Sequence, residues 1–275
     1  MIYEHILNAN RRFGTDPVDI ARSVFNCEPE IIQKDVIIAP EWKPDLFDGY
    51  VDSIDQVLDG IYKIWNLSIN EKTITYIITG IGAPNVLEAI LALGCTPCEN
   101  IIFIGSVGGL DGKLKIGDII IPEYSICGDG SCRYLTDKKL IVNDCFGEKY
   151  YPDKGIYEKI ISKTEKIAKE NNVNWHIGKN FSIDTVIAQF AHIDEILGMG
   201  CNCIEMETAA LFRSAEICKI KACAIFNVSD NTILKKSLLS GRSKEEMEFR
   251  RYVRRNVLTK IVLESFCKRS ITWKR

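Results

Sequence analysis

Thr75-Tyr76-Ile77-Ile78-Thr79-Gly80-Ile81-Gly82-Ala83-Pro84-Asn85-Val86-Leu87-Glu88-Ala89-Ile90-Leu91-Ala92-Leu93-Gly94 changes character part-way along its length. Thr75–Thr79 is short and rich in β-branched residues, the pattern of a buried strand. Two glycines then turn the chain. Pro84 stands where a helix starts and Gly94 just past its last apolar residue, the asymmetry that helix termini show. Strand, glycine corner and helix in succession form the unit of an α/β fold with a largely parallel sheet.

Outward from that unit, short apolar runs at Val36–Ala39, Ile101–Ile104, Ile119–Ile121 and Ala222–Val228 read as further strands. Tyr157–Glu170, Met206–Cys218 and Lys244–Phe266 read as helices. Residues 1–34 show no clear period and form a helical or irregular lead-in, and residues 244–267 form a C-terminal helix. No composition break interrupts the order, so one domain over residues 1–275 is expected. Its most irregular excursion is the loop Cys127–Asp153.

Composition narrows the class. The 275 residues are 46% hydrophobic and 26% charged, which supports a sizeable core. A formal net charge of −2 offers no long-range pull on nucleic acid or an anionic membrane. Basic residues do crowd the stretch from Arg242 to Arg275, which reads as a solvated helix face of mixed charge. Eleven cysteines, odd in number and irregularly spaced, read as free thiols in a reducing cytoplasm rather than a disulfide framework. Cys95 and Cys98 lack further ligands at zinc-site spacing, so no metal site is expected. Met1–Arg12 carries no apolar leader segment, and no run reaches membrane-spanning length.

Four features carry chemistry. The corner at Gly80 and Gly82 and the corner Gly105-Ser106-Val107-Gly108-Gly109 let backbone N–H groups approach a ligand, or serve only as tight strand exits. A dinucleotide fingerprint is disfavoured, because Asn85 stands where the third glycine belongs. Ile204-Glu205-Met206-Glu207 puts two carboxylates at the entrance of an apolar helix, where capping accounts for one of them. Glu207 would face Ala210 and Leu211, and a carboxylate on a packing face calls for strong partners such as sugar hydroxyls. Ser229-Asp230 ends an apolar strand at the sheet edge where α/β proteins bind ligands, although Asp230 also suits a turn or cap.

In this order, with Lys115-Ile116-Gly117-Asp118 between the second corner and a strand, the features resemble the nucleoside phosphorylase and nucleosidase superfamily. The resemblance runs from about Val36 to Asn231. It implies a three-layer α/β fold, with a central mixed, partly closed sheet surrounded by helices, in a homo-oligomer (dimer or hexamer). It also implies cleavage of a nucleoside N-glycosidic bond without a cofactor or metal. Glu207 matches the carboxylate that grips ribose hydroxyls, with Glu205 beside it, and Met206 the methionine against the sugar. Ser106 matches the hydroxyl near phosphate or attacking water, and Asp230 the acid that protonates a purine. Gly82 belongs to the ligand corner. Val186 and Ile187 fall in the segment that meets the base, Val186 where a stacking aromatic is usual. Arg242 matches a basic residue that swings toward the aspartate.

The nucleophile is where the pattern departs. Phosphorolytic members of the superfamily carry an N-terminal Gly-Asp-Pro-x-x-Arg loop, replaced here by Ala39-Pro40-Glu41-Trp42-Lys43-Pro44, and Phe103 stands in for a further arginine. Between Ser23 and Cys132 no arginine occurs, and lysines such as Lys43 supply only point charges. Hydrolysis is therefore expected, with Glu41 as the base that activates water. Phosphorolysis, with phosphate as co-substrate bound through lysines or a partner's Arg11, Arg12 or Arg22, is the alternative. A non-catalytic nucleoside-binding, storage or sensor protein is the third reading.

Overall fold

The computed structural model describes residues 1–267 and Ile271. The lead-in is helical: α1 (Ile2–Arg12) and α2 (Pro17–Phe25), the latter opened by Pro17 at its first turn. Strand β1 (Asp35–Ala39) follows, then β2 (Ser53–Asp59), β3 (Lys63–Ile69) and β4 (Lys72–Ile78). Helix α3 (Ala83–Leu93) leads into β5 (Asn100–Gly109) and β6 (Ile119–Gly128). After the long loop and the two-residue β7 (Lys149–Tyr150) come α4 (Lys154–Glu170), β8 (Trp175–Ile183) and α5 (Ile193–Gly198). The chain continues through β9 (Cys203–Glu205), α6 (Thr208–Cys218) and β10 (Lys221–Asn231). It then enters a long C-terminal helix, α7 (Lys244–Tyr252) and α8 (Thr259–Phe266), joined by a π-helical turn at Val253–Leu258.

The sheet is mixed and partly closed. β5 pairs in parallel with β10, β10 antiparallel with β6, β6 in parallel with β8, β8 in parallel with β9, and β9 antiparallel with β5. These five strands therefore form a ring. From β5 the sheet continues outward through β1, β4, β3 and β2. Alternation along β10 shows how the layers form: Ala222, Ala224, Phe226 and Val228 join one core, Cys223 and Ile225 the other. α3 and α6 cover the first, α4 and α8 the second. Among the described residues no helix is long and apolar enough to cross a membrane.

The sequence-derived strands and helices all recur, several with one end extended. Two boundaries retreat: β4 ends at Ile78 rather than Thr79, and the helix expected from Met206 begins at Thr208, because Ile204 and Glu205 are drawn into β9 against Gly108 and Phe181.

Candidate active site

The ring's rim carries the site. Ser106 near the end of β5, Glu205 at the end of β9 and Asp230 at the end of β10 all border one cavity of about 610 Å³. That is within the roughly 300–1,000 Å³ range of small-molecule pockets. Glu41, Lys43, Val186, Met206 and Glu207 line it as well.

Backbone irregularity aims these groups. β10 pairs with β5 in register up to Val228–Val107, then resumes at Asp230–Gly108, so Ser229 is a bulge. The bulge interrupts alternation, which lets a strand that buries Phe226 and Val228 on one face deliver Asp230 to the cavity. Gly108 makes room for it: a Cβ there would lie 3.4 Å from Asp230 Oδ2 and 3.1 Å from Ile204 Cγ2. Ser229 Oγ donates to Asp230 Oδ1. Burial raises the Asp230 carboxyl above its ordinary pKa, while Ser229 and the charges of Arg242 and Arg250 pull it down in part.

The two glutamates divide their labour. Glu205 Oε2 accepts from the backbone N–H of Glu207 at 2.8 Å and Thr208 at 2.7 Å, and Oε1 from Ser182 Oγ at 2.5 Å and Thr208 Oγ1 at 2.6 Å. It is the helix cap, with its oxygens saturated although it borders the cavity. Glu207 Oε1 accepts from the Gly82 N–H at 2.8 Å and Oε2 from Met206 N at 3.3 Å. Gly82 is at φ +101°, a conformation only glycine adopts without strain, and this turns its N–H toward the carboxylate. Burial first and the neighbouring Glu205 charge second push the Glu207 carboxyl well up. Among the described residues Glu207 makes no ion pair and each of its oxygens accepts one hydrogen bond, so lone pairs remain for hydroxyl donors.

The cationic wall was not foreseen. Arg250, Arg254 and Arg255 line the cavity, so the basic stretch read as a solvated face is turned inward in part. Arg250 Nη2 donates to Ser106 Oγ at 2.6 Å. Arg255 is held by Asp45 at 2.8 Å, and Arg254 lies over the Trp42 ring at 5.2 Å. The Nε atoms of Arg250 and Arg254 are buried without a hydrogen-bond partner. Desolvation first, then repulsion from Arg254 and from Arg242, push Arg250 down to about 10, and desolvation with the charges of Arg255 and Arg251 lowers Arg254. Arg254 and Arg255 stand in the π turn at Val253–Leu258, and Arg250 one turn before it in α7.

Other expected residues sit outside the cavity. Ile187 is 79% exposed and does not border it, whereas its neighbour Val186 does. Gly82 contributes through its bond to Glu207. Arg242 donates to the carbonyls of Ser229 at 3.3 Å and Leu238 at 2.7 Å, one layer behind Asp230. Arg11 and Arg22 are engaged at the surface by Glu4 and Glu28. Gln189 and Leu238, which the sequence did not single out, complete the wall near Val186 and Asp230.

Comparison with known proteins agrees with this architecture. The sequence profile of the phosphorylase superfamily matches residues 57–265. The chain belongs to the phosphorylase superfamily. This superfamily member is 28% identical over 158 residues to the DeoD-type purine nucleoside phosphorylase of Streptococcus pyogenes, covering 56% of the chain and 61% of that relative. It is 26% identical over 173 residues to the guanosine phosphorylase of Halorubrum lacusprofundi, covering 62% of the chain and 67% of the relative. The chain thus spans about three fifths of the length of the first of these relatives. In fold, the superfamily member is similar to uridine phosphorylase from Vibrio fischeri, with a TM-score of 0.69, 19% identity and coverage of 86% of this chain and 93% of that one. The methylthioadenosine/S-adenosylhomocysteine nucleosidase of Campylobacter jejuni gives 0.67 and 16%, covering 86% and 99%.

Proposed function

We propose that this chain cleaves the N-glycosidic bond of a purine nucleoside by phosphorolysis. The observation that carries the nucleophile is the Arg250–Ser106 contact, flanked by the unpartnered Nε donors of Arg250 and Arg254. Hydrolysis was expected because no arginine lies near the glycine corners in sequence. The C-terminal helix supplies arginines in space. Guanidinium groups suit an oxyanion better than lysine does, and the repulsion between Arg250 and Arg254 is relieved by a dianion. The purine phosphorylase relatives point the same way.

In this reading the Glu207 oxygens accept hydrogen bonds from ribose hydroxyls, and the positive charge that develops on the sugar favours the ionised carboxylate that burial by itself disfavours. Asp230, whose proton burial makes harder to lose, gives that proton to the base as the bonding pair moves onto it. Phosphate held by Ser106, Arg250 and Arg254 attacks the anomeric carbon, and the products are free purine and ribose 1-phosphate. These groups need no cofactor for the proton transfers. Retention of an acid at the base end favours turnover over simple binding. A homo-oligomer and a reducing, cytoplasmic setting belong to the same reading, the latter because all eleven cysteines are free thiols.

Hydrolysis keeps one observation in its favour: Glu41 borders the same cavity and is a base within the site. Rates on adenosine, inosine and guanosine, with and without phosphate, separate the two. Saturable dependence on phosphate with ribose 1-phosphate as product supports phosphorolysis. Phosphate-independent release of free ribose, abolished in Glu41→Gln, overturns it.

A further inference from the structure

Four metal-ligating side chains that the proposed reaction does not use meet at the base of the irregular loop after β6. Cys127, Asp129, Cys132 and Cys145 are all buried, at 0%, 4%, 2% and 4% exposure. The ligand atoms of the first three lie within 4.8 Å of one another. Asp129 Oδ2 is 3.5 Å from Cys127 Sγ and 3.4 Å from Cys132 Sγ, and Cys127 Sγ is 3.7 Å from Cys145 Sγ.

These separations have a definite meaning. Zinc bonds thiolate at about 2.3 Å and carboxylate oxygen at about 2.0–2.2 Å, and around a tetrahedron those lengths set S···S edges of about 3.8 Å and S···O edges of about 3.5–3.7 Å. The S···S edge of 3.7 Å and the S···O edge to Cys127 of 3.5 Å are close to these lengths, and the edge to Cys132, at 3.4 Å, is slightly shorter. The carboxylate is oriented for the task as well. Its Oδ1 accepts from the backbone N–H of Ser131 at 2.8 Å and Cys132 at 2.9 Å, which leaves Oδ2 facing the sulfurs. The two thiols that donate to Oδ2 stand where metal-bound thiolates would stand beside a carboxylate ligand.

We propose that Cys127, Asp129, Cys132 and Cys145 form a structural zinc site that staples this loop. Binding exchanges protons for metal: three thiols lose three protons, Zn²⁺ takes three thiolates and one carboxylate oxygen, and no oxidation state changes. A Cys127–Cys145 disulfide would use only two of the sulfurs and leave Cys132 and the Asp129 charge as they are. Cys95 and Cys98, the pair that the sequence offered as a motif, lie elsewhere, with the Cys95 thiol on the Tyr3 hydroxyl at 3.2 Å and Cys98 packed in the core.

The test uses the full chain, purified under reducing conditions and dialysed against metal-free buffer. Elemental analysis should find about one zinc per chain. Cobalt(II) added to the stripped protein should give the strong visible bands of a tetrahedral site and a near-ultraviolet thiolate charge-transfer band. Cys132→Ser and Asp129→Asn should weaken zinc binding by about a hundredfold or more in a chelator competition, while Cys223→Ser, a buried thiol outside the cluster, should leave it unchanged. The cobalt spectrum needs no variant, so an unfolded mutant does not blunt the test. A stripped wild-type chain that takes up neither metal overturns the proposal, as does a Cys127–Cys145 disulfide in place of bound metal.

Discussion

The Arg250 guanidinium lies 2.6 Å from Ser106 Oγ, although 144 residues separate the two along the chain. This contact joins the glycine corner of β5 to the C-terminal helix and gives the cavity a cationic side. Losing a hydrogen bond to a charged group costs about 1.5–3 kcal/mol, which is roughly 10–100-fold in an equilibrium or rate. Arg250→Met should raise the KM for phosphate by that order, and Arg250→Lys should recover only part of it, because an ammonium lacks the planar fork. Initial rates against phosphate concentration check this. An unchanged KM in a folded Arg250→Met chain would remove Arg250 from the anion site.

Glu207→Gln should cut kcat/KM on ribonucleosides at least about tenfold, since a neutral amide accepts weaker bonds from sugar hydroxyls. The loss should shrink for 2′,3′-dideoxynucleosides, which lack the donors. Equal losses on both substrates would make Glu207 a structural carboxylate.

Asp230→Asn should slow purine nucleosides by roughly 10²–10⁴. It should spare substrates whose leaving base departs without a proton. The wild-type rate should fall as pH climbs through the raised Asp230 pKa, because the acid form is then lost, and that limb should vanish in the variant. A pH–rate profile of both proteins decides it.

The same burial predicts a stability trend without substrate. Glu207 and Asp230 hold their protons to higher pH when folded than unfolded. Between the ordinary carboxylate range and those raised values the native state binds more protons, so unfolding becomes easier as pH rises through that window. The melting temperature of the ligand-free chain should therefore drop with rising pH there. Glu207→Gln and Asp230→Asn should each flatten the slope, as thermal melts across the window would show.

How much of this was legible depended on the kind of signal. β1, β4, β5, β6 and β10 are short, β-branched and bounded by turn residues, so they stood out. The hairpin of β2 and β3 did not: Ser53–Asp59 is half-exposed, with Asp55 and Gln56 facing outward. β8 carries His176, Lys179, Asn180 and Ser182, which a ring with a polar rim tolerates and a hydrophobicity pattern does not report. Glu207, Asp230, Ser106 and Met206, which border the cavity, could be picked out because short motifs hold them. Arg250 and Arg254 are four apart, which marks a shared helix face, but not whether that face meets water. The π turn and the packing of Val253 and Val257 settle that, and neither is encoded by a local motif. Val186 and Ile187 could not be told apart in the sequence, because both lie past the end of β8 at Ile183, where no strand alternation assigns one of them to the cavity.

The place of those arginines along the chain sets an order of assembly. A domain emerges from the ribosome N-terminal end first, and every strand of the ring precedes α7 along the chain. A nascent chain ending just past Asn231 already owns Ser106, Glu207 and Asp230, with no guanidinium beside the serine. The half of the pocket that would hold the sugar and the base is thus made before the half that would hold the nucleophile.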